Sequence, residues 1–309
     1  MTDTDALAIA DQVRRRDRSP AEVVSDAIRR IECLDPALNA VIHPRFEKAV
    51  AEAKVWPSGP LAGAPNLLED ASITQAGEPW HESLQAARNA RHIATTTSFL
   101  TQRLIDAGCV ILGRTNIPEL CTHVTTEPSA YGPTRNSWSP EFSAGGSSGG
   151  SGASIAAGMV AIAHGSDGGG SVRVAAAVLN AVAGAHPSDP CQTPLFELIS
   201  PILDSPLPRL RIGLRTRGAC GCDRAHPVVD ALTRGAARWF EAVGDVVEEA
   251  SPRALDEEDG VARQGIVVAA CLASELAAWS RRLGREIALE ELELRNRMSV
   301  VGGRKLTGQ

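Results

Sequence analysis

The stretch whose reading decides the fold runs from Ser143 to Arg173: Ser-Ala-Gly-Gly-Ser-Ser-Gly-Gly-Ser-Gly152, the apolar run Ala153 to His164, then Gly-Ser-Asp-Gly-Gly-Gly-Ser-Val-Arg173. Two glycine-rich turns that carry serines enclose one compact apolar element. Glycine lets backbone N–H groups converge on a small volume without Cβ clashes, which suits the holding of a developing negative charge. A flexible Gly/Ser linker has a similar composition. A linker, however, is not interrupted by an apolar run such as Ala156 to Ala163, and does not end with an Asp and an Arg flanking a serine. The stretch reads as a catalytic or anion-binding constellation.

Outward from this core, the N-terminal side alternates helical and extended patterns. Leu7, Ala10 and Val13 sit at helical spacing, and Ser19-Pro-Ala-Glu22 is a capping box with proline at the first helical position. The helix it opens carries Val23, Val24, Ala27, Ile28 and Ile31, and is expected to stop before Asp35-Pro36. A third helix is expected over 44–55. Asn66-Leu67-Leu68 reads as a buried strand whose end presents Glu69 and Asp70. A helix from Thr95 closes on Gly108 as its C-terminal cap, and Cys109 to Leu112 follows as a second buried strand. This alternation predicts an α/β fold, a mixed twisted sheet flanked by helices. Tyr131, the one tyrosine, lies in the turn-rich loop leading to the core, where a pocket-wall role stands beside a structural one.

Beyond the core, residues 172–183 read as a buried helix with Ser171 near its N-terminus, where the helix dipole favours an anion. Residues 186–210 contain six prolines and read as a junction. A strand at 211–215, a helix over 227–243 and a strand at 245–249 form a strand–helix–strand unit. A long helix is expected over 261–283, and 302–309 looks frayed.

Composition narrows the partners. A net charge of -6 argues against nucleic acid and anionic membranes, and aromatics at 4% leave few stacking surfaces. No secretory signal or membrane-length apolar run is read, so a cytoplasmic location is expected, with the seven cysteines as free thiols. Cys220-Gly-Cys222 is too closely spaced for a zinc knuckle, and neither a metal nor an organic cofactor is expected. Three lysines are present, Lys48, Lys54 and Lys305, and none follows the glycines as a P-loop requires. The dinucleotide fingerprint fails as well. Gly145-x-Ser147-x-Gly149 fits a nucleophile elbow, which would make Ser147 the nucleophile of an α/β-hydrolase-type esterase. That elbow needs a strand just before it, and Ser139 to Ala144 reads as loop.

The whole pattern closely resembles the amidase signature family. The resemblance extends to Asp35 to Ala40, Gly59 to Gly63, Ala107 to Asn116 with Pro118-Glu119, and Tyr131 to Asn136. It implies a single amidase-like domain over 1–309, with the catalytic core in 1–184, a Pro-rich junction at 185–210 and a shortened C-terminal portion at 211–309. It also implies hydrolysis of a small-molecule carboxylic amide through an acyl-serine. Ser171 is then the nucleophile and Ser147, a serine preceding a cis peptide, the bridging serine. Gly168, Gly169 and Gly170 supply the oxyanion hole, and Ser148, Asp167 and Arg173 brace it.

The chain departs from the family in two places. The family's catalytic lysine falls at Glu69, so impaired activity is expected, down to a catalytically inactive protein that still binds small amides or acids, or a degenerate remnant. The sheet is also expected to be incomplete, because the chain is short after Gly184 and stops before the family's last strands. Missing strands expose edges through which self-association can occur.

Overall fold

The computed structural model describes residues 5–166, 208–218, 225–257 and 260–307. Two compact units are formed, one of residues 1–200 with 277–297, the other of 201–276 with 298–309.

The first unit opens with α1 (Ala6–Arg14) and α2 (Pro20–Leu38). The capping box closes as expected: Glu22 N–H donates to Ser19 Oγ at 3.2 Å, and Ser19 N–H to a Glu22 carboxylate oxygen at 2.8 Å. Helix α2 does not stop before Asp35-Pro36 but runs through Pro36 to Leu38. Proline there forfeits one hydrogen bond in the last turn, and the Asp35 carboxylate makes the end good by accepting from Ala40 and Val41 N–H at 2.7 and 3.0 Å. Asn39, in the left-handed region at φ 52°, turns the chain out. The next residues form strand β1 (Val41–Pro44), so the third helix, α3 (Phe46–Ala53), starts later than its apolar pattern suggests.

The sheet order is β1-β3-β2-β4. Strand β2 (Pro65–Glu69) lies parallel to β3 (Val110–Thr115) and to the short β4 (Ile162–Ala163), while β1 is antiparallel to β3. The sheet is therefore mixed, as expected. Leu67, Val110 and Leu112 belong to one apolar cluster, with α2, α3 and Met159. Leu68 and Ile111 belong to another, with Ile9, Val13, Leu61 and Leu104. Neighbouring residues in one strand fall into different clusters because side chains alternate across a sheet, so each face carries its own core. Both central strands are buried along their whole length, and β2 ends at Glu69 directly opposite Thr115.

Two short helices, α4 (Gln85–Asn89) and α5 (Phe99–Asp106), separate β2 from β3. Helix α5 begins at its Ser98 cap, not at Thr95, and Gly108 follows its end at φ 95°. The Gly/Ser stretch is not all loop. Gly149 to Gly152 form the first turn of α6 (Gly149–Ala156), so the apolar run is the rest of a helix, a turn and β4. A Cβ on Gly150 would stand 2.5 Å from Asn116 N and 2.7 Å from Ala40 O. The glycine lets α6 approach the ends of two sheet strands, where Gly150 N–H donates to Asn116 O at 3.1 Å.

Residues 277–297 complete the first unit. Trp279 is fully buried, donates from its indole N–H to a Glu82 carboxylate oxygen at 2.8 Å, and packs 4.7 Å from the Trp80 ring. Glu119 accepts from Glu293 N–H at 2.9 Å and from Asn296 Nδ2 at 2.7 Å.

The second unit holds β5 (Arg211–Leu214), α7 (Pro227–Ala242) and β6 (Val246–Glu249), with β5 and β6 parallel. This is the expected strand–helix–strand unit. Its two-stranded sheet is largely exposed, as are Val228, Leu232 and Trp239 on α7. The long helix α8 (Gly260–Leu283) falls where expected. Over 302–307 the expected fraying is not found, because α9 (Leu294–Thr307) runs through these residues; 308 and 309 lie outside the described residues. Gly303 lies so close to Ala269 O that a Cβ would stand at 1.9 Å, which is how a segment without apolar periodicity finds a seat. The expected helix over 172–183 and most of the Pro-rich junction lie outside the described residues.

Candidate active site

The C-terminal ends of the parallel strands β2 and β3 meet the N-terminus of α6, and the described part of the site is built there. Glu69 closes β2 and is fully buried. Neither carboxylate oxygen has a well-formed hydrogen bond among the described residues, although Ser166 and Ser148 stand beside it as donors. Burial pushes its pKa up, the nearby Ser166 and Ser148 pull it back, and the charge of Asp70 raises it further. Burial outweighs these donors, which shifts the balance toward the neutral, protonated form.

Asp70, next in the chain, is held differently. It takes an ion pair from Arg114 Nε at 2.9 Å and accepts from the backbone N–H groups of His81 at 3.3 Å and Ser83 at 3.2 Å. Arg114 also donates to Glu69 O at 3.1 Å, so one guanidinium fixes the backbone on both sides of the strand end. Burial still raises the Asp70 pKa, with Arg114 opposing it.

The serine loop is pinned by a threonine. Thr126, fully buried, donates from Oγ1 to Gly145 O at 2.8 Å and accepts from Gly149 N–H at 3.2 Å. Its hydroxyl also lies 3.3 Å from Ser147 O. The one cis peptide among the described residues is Gly146-Ser147, so Ser147 follows the cis bond, where the resemblance had it precede one. Ser148 Oγ donates to Ser166 O at 3.1 Å and accepts from Ser166 N–H at 3.2 Å. This reciprocal latch ties the start of α6 to the segment after β4. Ser151 Oγ adds a second tie, to His164 O at 2.6 Å and to Thr115 Oγ1 at 2.7 Å. No regular strand precedes Ser147, as a nucleophile elbow requires; Ser143 makes only an isolated bridge with Arg135.

Of the expected site residues, Glu69, Ser147 and Ser148 are gathered in this one region. Asp167, Gly168, Gly169, Gly170, Ser171 and Arg173 lie outside the described residues, as does Cys220-Gly-Cys222. Tyr131 is half-buried in a knot of its own: its hydroxyl meets His81 Nδ1 and, at 3.1 Å, His43 Nε2, and Arg88 stacks 4.8 Å from its ring centroid. Burial lowers the pKa of both His43 and His81 to about 4 and raises that of the Tyr131 phenol.

Two members of the site carry no motif in the sequence. His164 Nδ1 lies 3.8 Å from Glu69 Oε2 and has no hydrogen-bond partner among the described residues. Burial, helped by the charge of Arg114, lowers its pKa to about 4, so the ring is neutral at pH 7. The Cys121 thiol is pushed well up by burial and by the charges of Glu69 and Glu82, and it sits at φ 57°. It is a protonated thiol and a poor nucleophile. Only packing places these two here, since neither stands in a spacing that marks it. No group of three or more His, Cys, Asp or Glu side chains is disposed to hold a metal ion, and no helix is long and apolar enough to cross a membrane, among the described residues.

Comparison with known proteins identifies the family of the chain. The family model described as Amidase matches residues 22–190. A 6-aminohexanoate-cyclic-dimer hydrolase of Paenarthrobacter ureafaciens is 31% identical over 351 aligned residues, covering 99% of this chain and 71% of the relative. A putative amidase of Mycobacterium tuberculosis is 39% identical over 189 residues, 60% of this chain and 39% of its own. The solved structure of a 6-aminohexanoate cyclic dimer hydrolase complexed with substrate superposes with a TM-score of 0.91 at 30% identity, covering 98% of this chain and 72% of that one. A bacterial aryl acylamidase superposes at 0.87 with 25% identity, over 96% of this chain and 72% of its own. With the model matched across more than half its length and the fold shared over nearly all of it, this chain belongs to the amidase family.

Proposed function

We propose that the chain cleaves a small carboxylic amide by acyl transfer to Ser171, and that Glu69 leaves this turnover slow. In this reading Ser171 Oγ attacks the amide carbonyl while its proton passes to Ser147 and on to a base. The oxyanion is held by the backbone N–H groups of Gly168, Gly169 and Gly170, braced by Ser148, Asp167 and Arg173. Collapse breaks the C–N bond, the amine leaves with a proton, and water then hydrolyses the acyl-serine. A serine hydroxyl is a weak nucleophile and needs that base. Neither metal nor organic cofactor enters the scheme.

The observation that carries the reading is the state of Glu69. Burial of this carboxyl outweighs the donors beside it and favours its protonated form, and a protonated carboxyl cannot take the serine proton. Loss of a general base costs about 10²- to 10⁴-fold in rate, roughly 3–5 kcal/mol in barrier.

The test is amide hydrolysis by the wild type, Glu69→Lys and Ser171→Ala, with the cyclic dimer of the hydrolase relative among the substrates. Glu69→Lys is expected to gain 10²-fold or more. Ser171→Ala is expected to lose hydrolysis and labelling by a fluorophosphonate. A folded protein that is never labelled, with no gain in Glu69→Lys, overturns the reading. The same carboxyl favours a second one, a protein that binds small amides or acids without turnover; steady hydrolysis by the wild type excludes it. The exposed strands β5 and β6 support self-association, which sedimentation velocity would report as mass rising with concentration.

A further inference from the structure

Leu120 and Cys121 follow one another in the left-handed region, at φ 54° and 57°. Neither is glycine, so the pair keeps this backbone only where its surroundings fix it. One side chain spans the pair. Asn296, 1% exposed, donates from Nδ2 to the Glu119 carboxylate at 2.7 Å and to Glu119 O at 3.3 Å, and its Oδ1 accepts from the Thr122 hydroxyl at 2.6 Å. That hydroxyl also lies 3.0 Å from Glu119 O, and its one proton serves the shorter contact. The residues before and after the turn are thus joined through a single amide. Glu293 adds a second hold, with its N–H on the Glu119 carboxylate at 2.9 Å and its own carboxylate accepting from Ser129 N–H at 2.7 Å.

The chain that leaves this turn goes straight to the serines. The backbone of 123–125 packs on Gly146, where a Cβ would stand 3.0 Å from His123 O, Val124 C and Thr125 N. Thr126 then grips the serine loop with one hydroxyl, set among Gly145 O, Ser147 O and Gly149 N–H. The segment 119–126 is therefore fixed to Asn296 at its start and to the serine loop at its end. Placement matters there, because a proton passes between hydroxyls only within hydrogen-bond reach, about 2.6–3.2 Å.

We propose that Asn296 is a positioning residue for Ser147: by bracing the Leu120–Cys121 turn through Glu119 and Thr122, it sets where Thr126 holds the serine loop. An asparagine amide suits the task, since it carries a donor and an acceptor on one rigid plane; leucine has neither and aspartate has no donor when ionised. The effect on rate rests on the acyl-serine reading, whereas the placement of the loop needs no turnover.

The experiment follows backbone amide exchange of the full chain by mass spectrometry, beside thermal melting. Asn296→Leu removes donor and acceptor at similar volume, and should speed exchange about tenfold or more over both 119–126 and the serine loop 145–149, with α2 unchanged. Thr126→Val cuts the last link and should speed exchange over 145–149 alone. Glu119→Gln keeps the acceptor and should exchange as the wild type does. In the Glu69→Lys background, Asn296→Leu should lower kcat about tenfold or more at unchanged KM, because misplacing the relay spares amide binding. A uniform rise in exchange that includes α2, or a lowered melting temperature with 145–149 exchanging as in the wild type, overturns the proposal. Faster exchange over 145–149 with kcat unchanged overturns it as well. Should Asn296→Leu not fold, Thr122→Val, which removes only the hydroxyl on Oδ1, decides by the same readings. If Glu69→Lys shows no turnover, the acyl-serine reading fails, and the exchange pattern alone decides the placement.

Discussion

Glu119 gives the sharpest stability test. Its side chain is 2% exposed, and burial raises its pKa to about 7 from the ordinary 4.5 although Asn296 Nδ2 and Glu293 N–H both donate to it. Between those two pH values the folded chain holds a proton that the unfolded chain has lost. Stability must therefore fall as pH rises from 4.5 to 7, and the loss is complete above that window. A rise of about 2.5 units at 1.36 kcal/mol each is about 3 kcal/mol. Glu119→Gln keeps an acceptor for Asn296 and Glu293 and removes the ionisation. Urea denaturation of both proteins from pH 4.5 to 8.5 should give curves that diverge by about 3 kcal/mol, with the variant the more stable at high pH. Parallel curves would refute the assignment of the penalty to this carboxyl.

Three further outcomes follow from features of the first unit. Gly150→Ala puts a methyl 2.5 Å from the backbone N of Asn116, which cannot move aside, and should cost about 1–3 kcal/mol in urea denaturation. Trp279→Ala empties a fully buried site and removes the indole donor to Glu82, for a loss of about 3–5 kcal/mol by the same measurement. His164 titrates at about 4 in the folded chain against 6.5 unfolded, so its contribution is present above pH 6.5 and lost as pH falls to 4. His164→Asn should flatten that acid limb by up to about 3 kcal/mol, as read by denaturation at stepped pH.

The parts of the fold that were legible in the sequence rest on local signals. The Ser19 capping box, the buried strand before Glu69 and the Gly108 cap each follow from neighbours a few residues apart. The misreadings have physical causes too. Pro36 looked like a terminator because the sequence does not show Asp35 capping the helix end. Gly149 to Gly152 looked like loop because glycine is a poor helix former, yet the close approach at Asn116 requires it. In the site, Glu69, Ser147 and Ser148 were marked by motif. His164, Cys121 and Thr126 were not, because their roles come from partners tens of residues away. The Arg114–Asp70 pair joins two strands 44 residues apart, a distance no window of pattern spans.

The burial of Trp279 against Glu82 has a consequence for how the protein is made. The two residues are 197 apart in sequence, and the whole second unit's strand–helix–strand segment is synthesised between them. At roughly 5–20 residues per second, about 10–40 s separate their appearance from the ribosome. For that interval Trp80 and Glu82 wait with their partner unmade, so the nascent first unit is an open intermediate with an apolar seat exposed. That exposure is common to the wild type and to a Trp279 variant, so chaperone dependence in this interval belongs to the order of synthesis, while a defect at Trp279 prolongs it by leaving the seat unfilled.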